Sequence, residues 1–219
     1  MTYKIPSLFD IPFPDTPDVN FERDLVQKLN GPIIGVDEAG RGPWAGPVVV
    51  AAASLNYDRL PDGLNDSKKL SQAKREGLYQ QILENAVVSV CIQSAQTIDK
   101  MNIRAATLDG MAQVATSLPQ KAKITFFDGR DIPPTFNENA QALVKGDGRC
   151  LAISAASIIA KVVRDRLMVQ LEDEAPGYGF AKHKGYGTKE HQEALERLGA
   201  SPFHRRSFRP IRERLQKEA

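Results

Sequence analysis

The chain has 219 residues, with 29 Lys and Arg against 27 Asp and Glu and a formal charge of +2. Hydrophobic residues make up 42% and charged residues 26%, a balance that excludes a disordered, collagen-like or coiled-coil chain. Two cysteines, Cys91 and Cys150, are too few for a disulfide framework or a thiolate zinc site. No apolar run nears the ~20 residues of a membrane span.

Residues 1–30 are proline-rich and acidic and read as an extension or loosely packed arm, with one short helix over 21–29. Pro6, Pro12 and Pro14 break any apolar run there, so no secretory signal is expected and the cytoplasm is the expected location. Ile33-Ile34-Gly35-Val36 reads as a short buried strand and residues 47–53 as a second, divided by glycines and Pro43. Trp44 between them reads as a packing or rim residue. Leu78, Ile82 and Ala86 share a helical face behind a candidate cap, Ser71. A third strand is expected over 87–92, with Cys91 in the core. Ile103, Thr107, Met111, Val114 and Leu118 step as an amphipathic helix does. Residues 124–127 give a fourth strand and 141–145 a weak fifth. Residues 151–163 are apolar almost all round, which predicts a buried helix, and Ser154-Ala155-Ala156-Ser157 would let another backbone come close. A last helix is expected over 188–198. Together these predict an α/β domain with a mixed sheet.

Acids stand where strands end. Val36-Asp37-Glu38-Ala39-Gly40-Arg41-Gly42 carries a strand into two adjacent carboxylates and a glycine-arginine-glycine turn. Strand residues alternate sides, so both acids face one site only if the chain bends. Ile124-Thr125-Phe126-Phe127-Asp128-Gly129 ends a strand in a third acid, and Val144-Lys145-Gly146-Asp147-Gly148 sets a fourth in a glycine turn. One such acid is unremarkable. Four brought together would repel one another unless cations sit among them. Hard divalent ions with oxygen ligands answer that need, and two of them suit in-line phosphodiester cleavage. The backbone amides of Gly40, Arg41 and Gly42 could donate to a phosphate or a sugar hydroxyl.

Other features fit a nucleic-acid site. Asn65-Asp66-Ser67-Lys68-Lys69-Leu70 sets two lysines before a helix, and His183-Lys184-Gly185-Tyr186-Gly187 sets an aromatic ring in a basic turn. Residues 182–219 hold ten Lys and Arg against five Glu, a net of +5 that suits a phosphate backbone. His183, His191 and His204 lack metal-ligand spacing, so no zinc site is expected.

These motifs resemble the type 2 ribonucleases H, the bacterial ribonuclease HII family in particular. The matching stretches are Gly35 to Pro43, Leu64 to Leu70, Asp128-Gly129, Val144 to Asp147, Ile153 to Val162, Tyr178 to Gly187 and His204 to Phe208, in family order. The resemblance implies a ribonuclease H-like mixed sheet flanked by helices, with a helical C-terminal segment. It implies a catalytic domain over 31–180, preceded by the extension 1–30 and followed by a basic segment, 181–219, that completes the substrate site. It implies Asp37, Glu38, Asp128 and Asp147 as catalytic acids binding two Mg²⁺ or Mn²⁺ ions. Gly40, Arg41 and Gly42 would sense a 2′-hydroxyl at an RNA–DNA junction, Tyr186 would stack there, and Lys68 and Lys69 would contact phosphate. The implied activity is cleavage of the RNA strand of RNA–DNA hybrids and incision 5′ of ribonucleotides embedded in DNA, by a monomer that removes ribonucleotides from DNA. Two other readings compete, a junction resolvase using the same metal chemistry and a non-catalytic nucleic-acid binding module. The glycine-flanked Arg41 with Tyr186 argues against the first, and the presence of all four acids against the second.

Overall fold

The computed structural model of the chain describes residues 11–218, so residues 1–10 of the expected extension lie outside it. Five strands, β1 (Ile33–Ala39), β2 (Val48–Leu55), β3 (Ala86–Gln93), β4 (Ile124–Asp128) and β5 (Ala140–Leu143), form one sheet in the order β3-β2-β1-β4-β5. The β3-β2-β1 half is antiparallel and the β1-β4-β5 half parallel, which is the mixed sheet expected. The helices are α1 (Val19–Leu29), α2 (Gln72–Asn85), α3 (Ala95–Met101), α4 (Ile103–Ser117), α5 (Leu151–Glu174), α6 (Phe180–His183), α7 (Lys189–Leu198) and α8 (Arg209–Glu218). Among the described residues no helix is long and apolar enough to cross a membrane.

The period of two along the central strands sorts their side chains between two cores. Ile33, Val49, Ala51 and Ala53 join α5 on one face, while Ile34, Val36, Val50 and Ala52 join α4 on the other. β2 is buried on both faces, which is why its sequence is apolar from Val48 to Ala53 without alternation. The small residues of β1 and α5 meet directly. A Cβ added to Gly35 would stand 2.2 Å from the backbone carbonyl carbon of Ala152, so α5 lies against the strand itself.

Residues 11–30 depart from the reading as a loose arm. Phe13 is buried edge-on against Phe126, with ring centroids 4.8 Å apart. Glu22 of α1 is buried completely. Cys150, the N-cap of α5, makes no capping bond of its own, and Glu22 takes that role from outside the helix. Its carboxylate accepts from the Leu151 amide at 2.5 Å, the Ala152 amide at 3.4 Å and the Tyr57 hydroxyl at 2.8 Å. Burial pushes this carboxyl above its ordinary range, and the helix amides and dipole work against that shift. The segment packs because it supplies the acceptor that α5 lacks.

Three further differences have local causes. β1 continues through both acids to Ala39 because β2 pairs with it as far as Ala39–Val49. α3 was not foreseen, being a short, mostly polar helix, whereas α7 and α8 make up the helical C-terminal segment expected. Cys91 is half-buried rather than core, on edge strand β3, where its thiol donates to Gln113 Oε1 at 3.5 Å.

Candidate active site

The four acids converge at the C-terminal ends of the parallel strands. Val36 of β1 stands opposite Phe127 of β4, so Asp37 and Asp128 follow side by side. Asp37 points toward α5 and accepts from the Ser157 hydroxyl there, while its Oδ1 also accepts from the Glu38 amide at 2.7 Å. Asp128 Oδ1 accepts from the amides of Gly146 at 2.7 Å and Asp147 at 3.4 Å. That clamp holds the single helical turn Gly146–Gly148 on which Asp147 sits. The Ser154 hydroxyl of α5 donates to the Asp147 carbonyl at 2.6 Å and fixes the turn from its other side.

These carboxylates are crowded and dry. Asp37 is 4% and Asp147 6% exposed. Burial pushes Asp37 well above the ordinary carboxylate range, and the charges of Glu38 and Asp128 push it further. Glu38 rises by burial against the pull of Arg41, whose Nη1 lies 3.4 Å from Glu38 Oε1, with Asp128 adding to the rise. Asp128 rises by burial and by the charge of Asp147. A second compensating cation is Lys68, whose Nζ lies 3.4 Å from Asp147 Oδ2. Burial works against the Lys68 ammonium, but Asp147, Asp37 and Asp66 together hold its pKa above the usual lysine value. Lys69 is exposed, next to Lys68 on the turn Ser67–Lys69. That turn is tied to α5 by the Ser67–Ser157 hydroxyl pair at 2.9 Å. As they stand, no three or more His, Cys, Asp or Glu side chains among the described residues are arranged to hold one metal ion.

Tyr186, far along the chain, arrives beside the glycine-arginine-glycine turn. Its ring carbon Cε1 is 3.7 Å from where a Cβ on Gly42 would be, and the ring is 47% exposed. The Trp44 amide donates to the Gly185 carbonyl at 2.8 Å and joins the two turns. Gly40 has φ +98°, and a Cβ there would stand 1.9 Å from Arg164 Nε, so only glycine fits. Arg104 and Arg130 line a small cleft with Arg41 and Asp128, a pairing across the fold that no local motif announces.

Two buried arginines brace these turns, and no sequence pattern marked either as buried. Arg164 donates from Nε to the Pro47 carbonyl at 3.0 Å and from Nη2 to the Lys184 carbonyl at 3.0 Å. Arg205 donates to the carbonyls of Gly46, Arg41 and Gly40 at 2.9, 2.9 and 2.6 Å. Arg205 had counted toward the basic tail, yet it is 0% exposed and faces inward. Three other cations of the tail are paired on the surface, in Lys182–Glu190, Lys189–Glu193 and Arg209–Glu213. The net of +5 already subtracts those glutamates, so it is the burial of Arg205 that lowers the outward charge of this segment below that figure.

The family model described as Ribonuclease HII matches residues 34–211. The chain is 48% identical over 207 residues to the ribonuclease HII of Rhizobium etli, covering 94% of this chain and 90% of that protein. It is 51% identical over 187 residues to that of Cereibacter sphaeroides, covering 85% and 88%. Among solved structures, the ribonuclease H2 of Pyrococcus horikoshii matches with a TM-score of 0.70 at 28% identity, covering 85% of this chain and 98% of that one. The ribonuclease HII of Archaeoglobus fulgidus, solved in complex with PCNA, matches at 0.66 and 30%, covering 76% and 87%. The chain belongs to the ribonuclease HII family and is an endoribonuclease of the ribonuclease H type, acting on the RNA strand of RNA–DNA hybrids.

Proposed function

We propose that this enzyme also incises duplex DNA 5′ of single embedded ribonucleotides and so serves their removal, using divalent ions held by Asp37, Glu38, Asp128 and Asp147. The observation that carries the metal reading is the electrostatics of the acids. Three are pushed above their ordinary range by burial and by one another, and Lys68 is the one ammonium among the described residues paired with them. The donor set is all hard oxygen, which suits Mg²⁺ or Mn²⁺. Mg²⁺ keeps several waters and takes only one or two carboxylates with substrate phosphates, so the fit does not need three side chains on one ion. Bst-RNase HIII, solved in complex with Mn²⁺, shares the fold at a TM-score of 0.65 and 20% identity.

When bound, a pair of such ions activates water for in-line attack and stabilises the departing oxygen. The chain's own residues do the rest. Asp128 holds the Asp147 turn through two backbone amides, so two of the acids move as one unit. Lys68 and Lys69 meet the phosphate backbone from the turn tied to α5. The amides of the glycine-arginine-glycine turn bond the ribose 2′-hydroxyl, and Tyr186 packs on the adjoining deoxyribose. RNA and DNA differ locally only at that hydroxyl and in helix form, so a reader of the junction must use one of them.

The test is a duplex with one embedded ribonucleotide beside an all-DNA duplex and a continuous hybrid, with Mg²⁺, with Mn²⁺ and with chelator. Incision on the 5′ side of the ribonucleotide that stops with chelator is the expected result. Cleavage of the hybrid alone would overturn the junction reading, and cleavage in chelator the metal reading.

A further inference from the structure

We propose that Arg205 is the positioning residue for 2′-hydroxyl recognition, fixing two peptide units so that the amides of Arg41 and Gly42 face the ribose together. This rests on the reading that those amides meet the 2′-hydroxyl.

The argument is one of peptide geometry. In a trans peptide the carbonyl and the amide of the same unit point in opposite directions, and the described residues contain no cis peptide. The Gly40 carbonyl shares its unit with the Arg41 amide, and the Arg41 carbonyl shares its unit with the Gly42 amide. One guanidinium takes both carbonyls, Nη2 to Gly40 at 2.6 Å and Nη1 to Arg41 at 2.9 Å. In a strand, successive carbonyls point to opposite sides and no single group reaches both. That one fork takes both shows that the Arg41 backbone turns the two carbonyls to the same side, which leaves the two amides side by side on the other. Successive amides so arranged form a concavity suited to an electron-rich oxygen. Among the described residues neither amide has a hydrogen-bond acceptor.

The choice of arginine follows. A planar fork reaches two neighbouring carbonyls at once, and an ammonium does not. Nε is committed as well, to the Gly46 carbonyl at 2.9 Å, so the plane of the fork is set. The Phe208 ring covers it, with its centroid 5.1 Å from the guanidinium carbon. A charged donor on each carbonyl also polarises the peptide and strengthens its amide as a donor. Burial lowers the Arg205 pKa to about 9, which leaves the cation intact at neutral pH. Burying a charge on carbonyls alone is costly, which is what a fixed orientation at a recognition site requires and packing alone does not.

The experiment compares affinities of the full chain for two duplexes, one with a single ribonucleotide and one with a 2′-fluoro nucleotide at that position. Fluorine keeps the sugar near its ribose shape but accepts hydrogen bonds poorly. Ca²⁺ replaces Mg²⁺ to hold the acids without the octahedral geometry of the reactive ion. Wild type is expected to prefer the hydroxyl by about tenfold, the worth of one good hydrogen bond to a preset donor. Arg205→Lys is expected to bring that preference within about twofold while affinity for an all-DNA duplex changes little. A wild type without preference would remove the reading that the amides meet the hydroxyl. A wild-type preference retained in Arg205→Lys would overturn the role of Arg205 and leave that reading standing.

A measurement on the unaltered chain covers the case in which the variant fails to fold. In the ribonucleotide complex the Arg41 and Gly42 amide proton resonances should shift downfield relative to the fluoro complex, and the Arg205 guanidinium protons should exchange far more slowly than those of exposed Arg41. Equal amide shifts would again remove the reading. Equally fast guanidinium exchange would overturn the bracing by Arg205.

Discussion

His191 Nε2 lies 3.0 Å from His204 Nε2, and the protons on both rings are set from one end. The Ser201 amide can only donate, and it donates to His204 Nδ1 at 3.0 Å. His204 therefore carries its proton on Nε2 and gives it to His191 Nε2. His191 then carries its own on Nδ1 and gives it to the Tyr186 carbonyl at 2.9 Å. The Gly185 amide fixes His183 in the same way, through Nδ1 at 3.2 Å, with Nε2 donating to the Tyr178 carbonyl at 2.7 Å. Histidines without ligand spacing thus serve as a neutral relay behind the tyrosine turn.

The relay makes stability depend on pH. Burial, with the neighbouring His191 adding to it, lowers the His204 pKa to about 4. Unfolded histidine titrates near 6.5, so between about 6.5 and about 4 the unfolded chain binds the extra proton and the folded chain is penalised. Stability is intact above that window and is lost as pH falls through it, by up to about 3 kcal/mol. The crowded acids carry the opposite sign, because their raised folded pKa values favour the folded state as pH falls. The measurement is therefore a difference, between urea midpoints of wild type and His204→Gln at neutral pH and near pH 5. Wild type is expected to lose more stability over that interval, and an equal loss would count against a neutral His204.

Asp37→Asn should separate stability from activity. The swap keeps the acceptor for Ser157 and the Glu38 amide but removes a charge that Glu38 and Asp128 repel. In chelator its Tm should rise by about 2–4 °C, the shift that ~1 kcal/mol gives a chain of this size. In Mg²⁺ its cleavage of a hybrid should fall by at least about a hundredfold while binding persists. Near-native cleavage would show that Asp37 is no metal ligand.

Glu22→Ala should cost about 2–3 kcal/mol, since it strands two α5 amides and the Tyr57 hydroxyl in a dry site. Glu22→Gln retains an acceptor and should cost less. Deleting residues 1–30 removes Glu22 and Phe13 together and should leave little folded protein. Denaturant midpoints decide the first two, and a folded, active truncation would contradict the third.

Tyr186→Ala should harm incision at a single ribonucleotide more than cleavage within a long hybrid, because only the first substrate presents a deoxyribose next to the ribose. The ring lies beside Gly42 of the glycine-arginine-glycine turn. The ratio of the two rates in wild type and variant is the readout, and an unchanged ratio would make Tyr186 a packing residue.

What could be read from the sequence was local. Strand ends, the Ser71 cap and the alternation that splits Asp37 from Glu38 all follow from neighbours within a few residues. The acids could be named as a group because each closes an apolar strand or a glycine turn. The buried bracing could not be read, because Arg205 meets Gly40 across most of the chain and a lone arginine in a basic tail carries no mark of burial. Glu22 was hidden for the same reason. A carboxylate in an acidic, proline-rich stretch looks solvated until the helix it caps is in place.

The sheet order has a consequence for synthesis. All four acids have left the ribosome once residue 147 has, but α5, which braces Asp37 and Asp147, comes later. Tyr186, and Arg205 behind the glycine turn, come later still. A nascent or C-terminally shortened chain therefore holds the four acids before Tyr186 and Arg205, and without α5 the Asp147 turn lacks the Ser154 hydroxyl that fixes its second side. Full bracing of the acids waits for α5, and bracing of the glycine-arginine-glycine turn waits for Arg205 in the last segment.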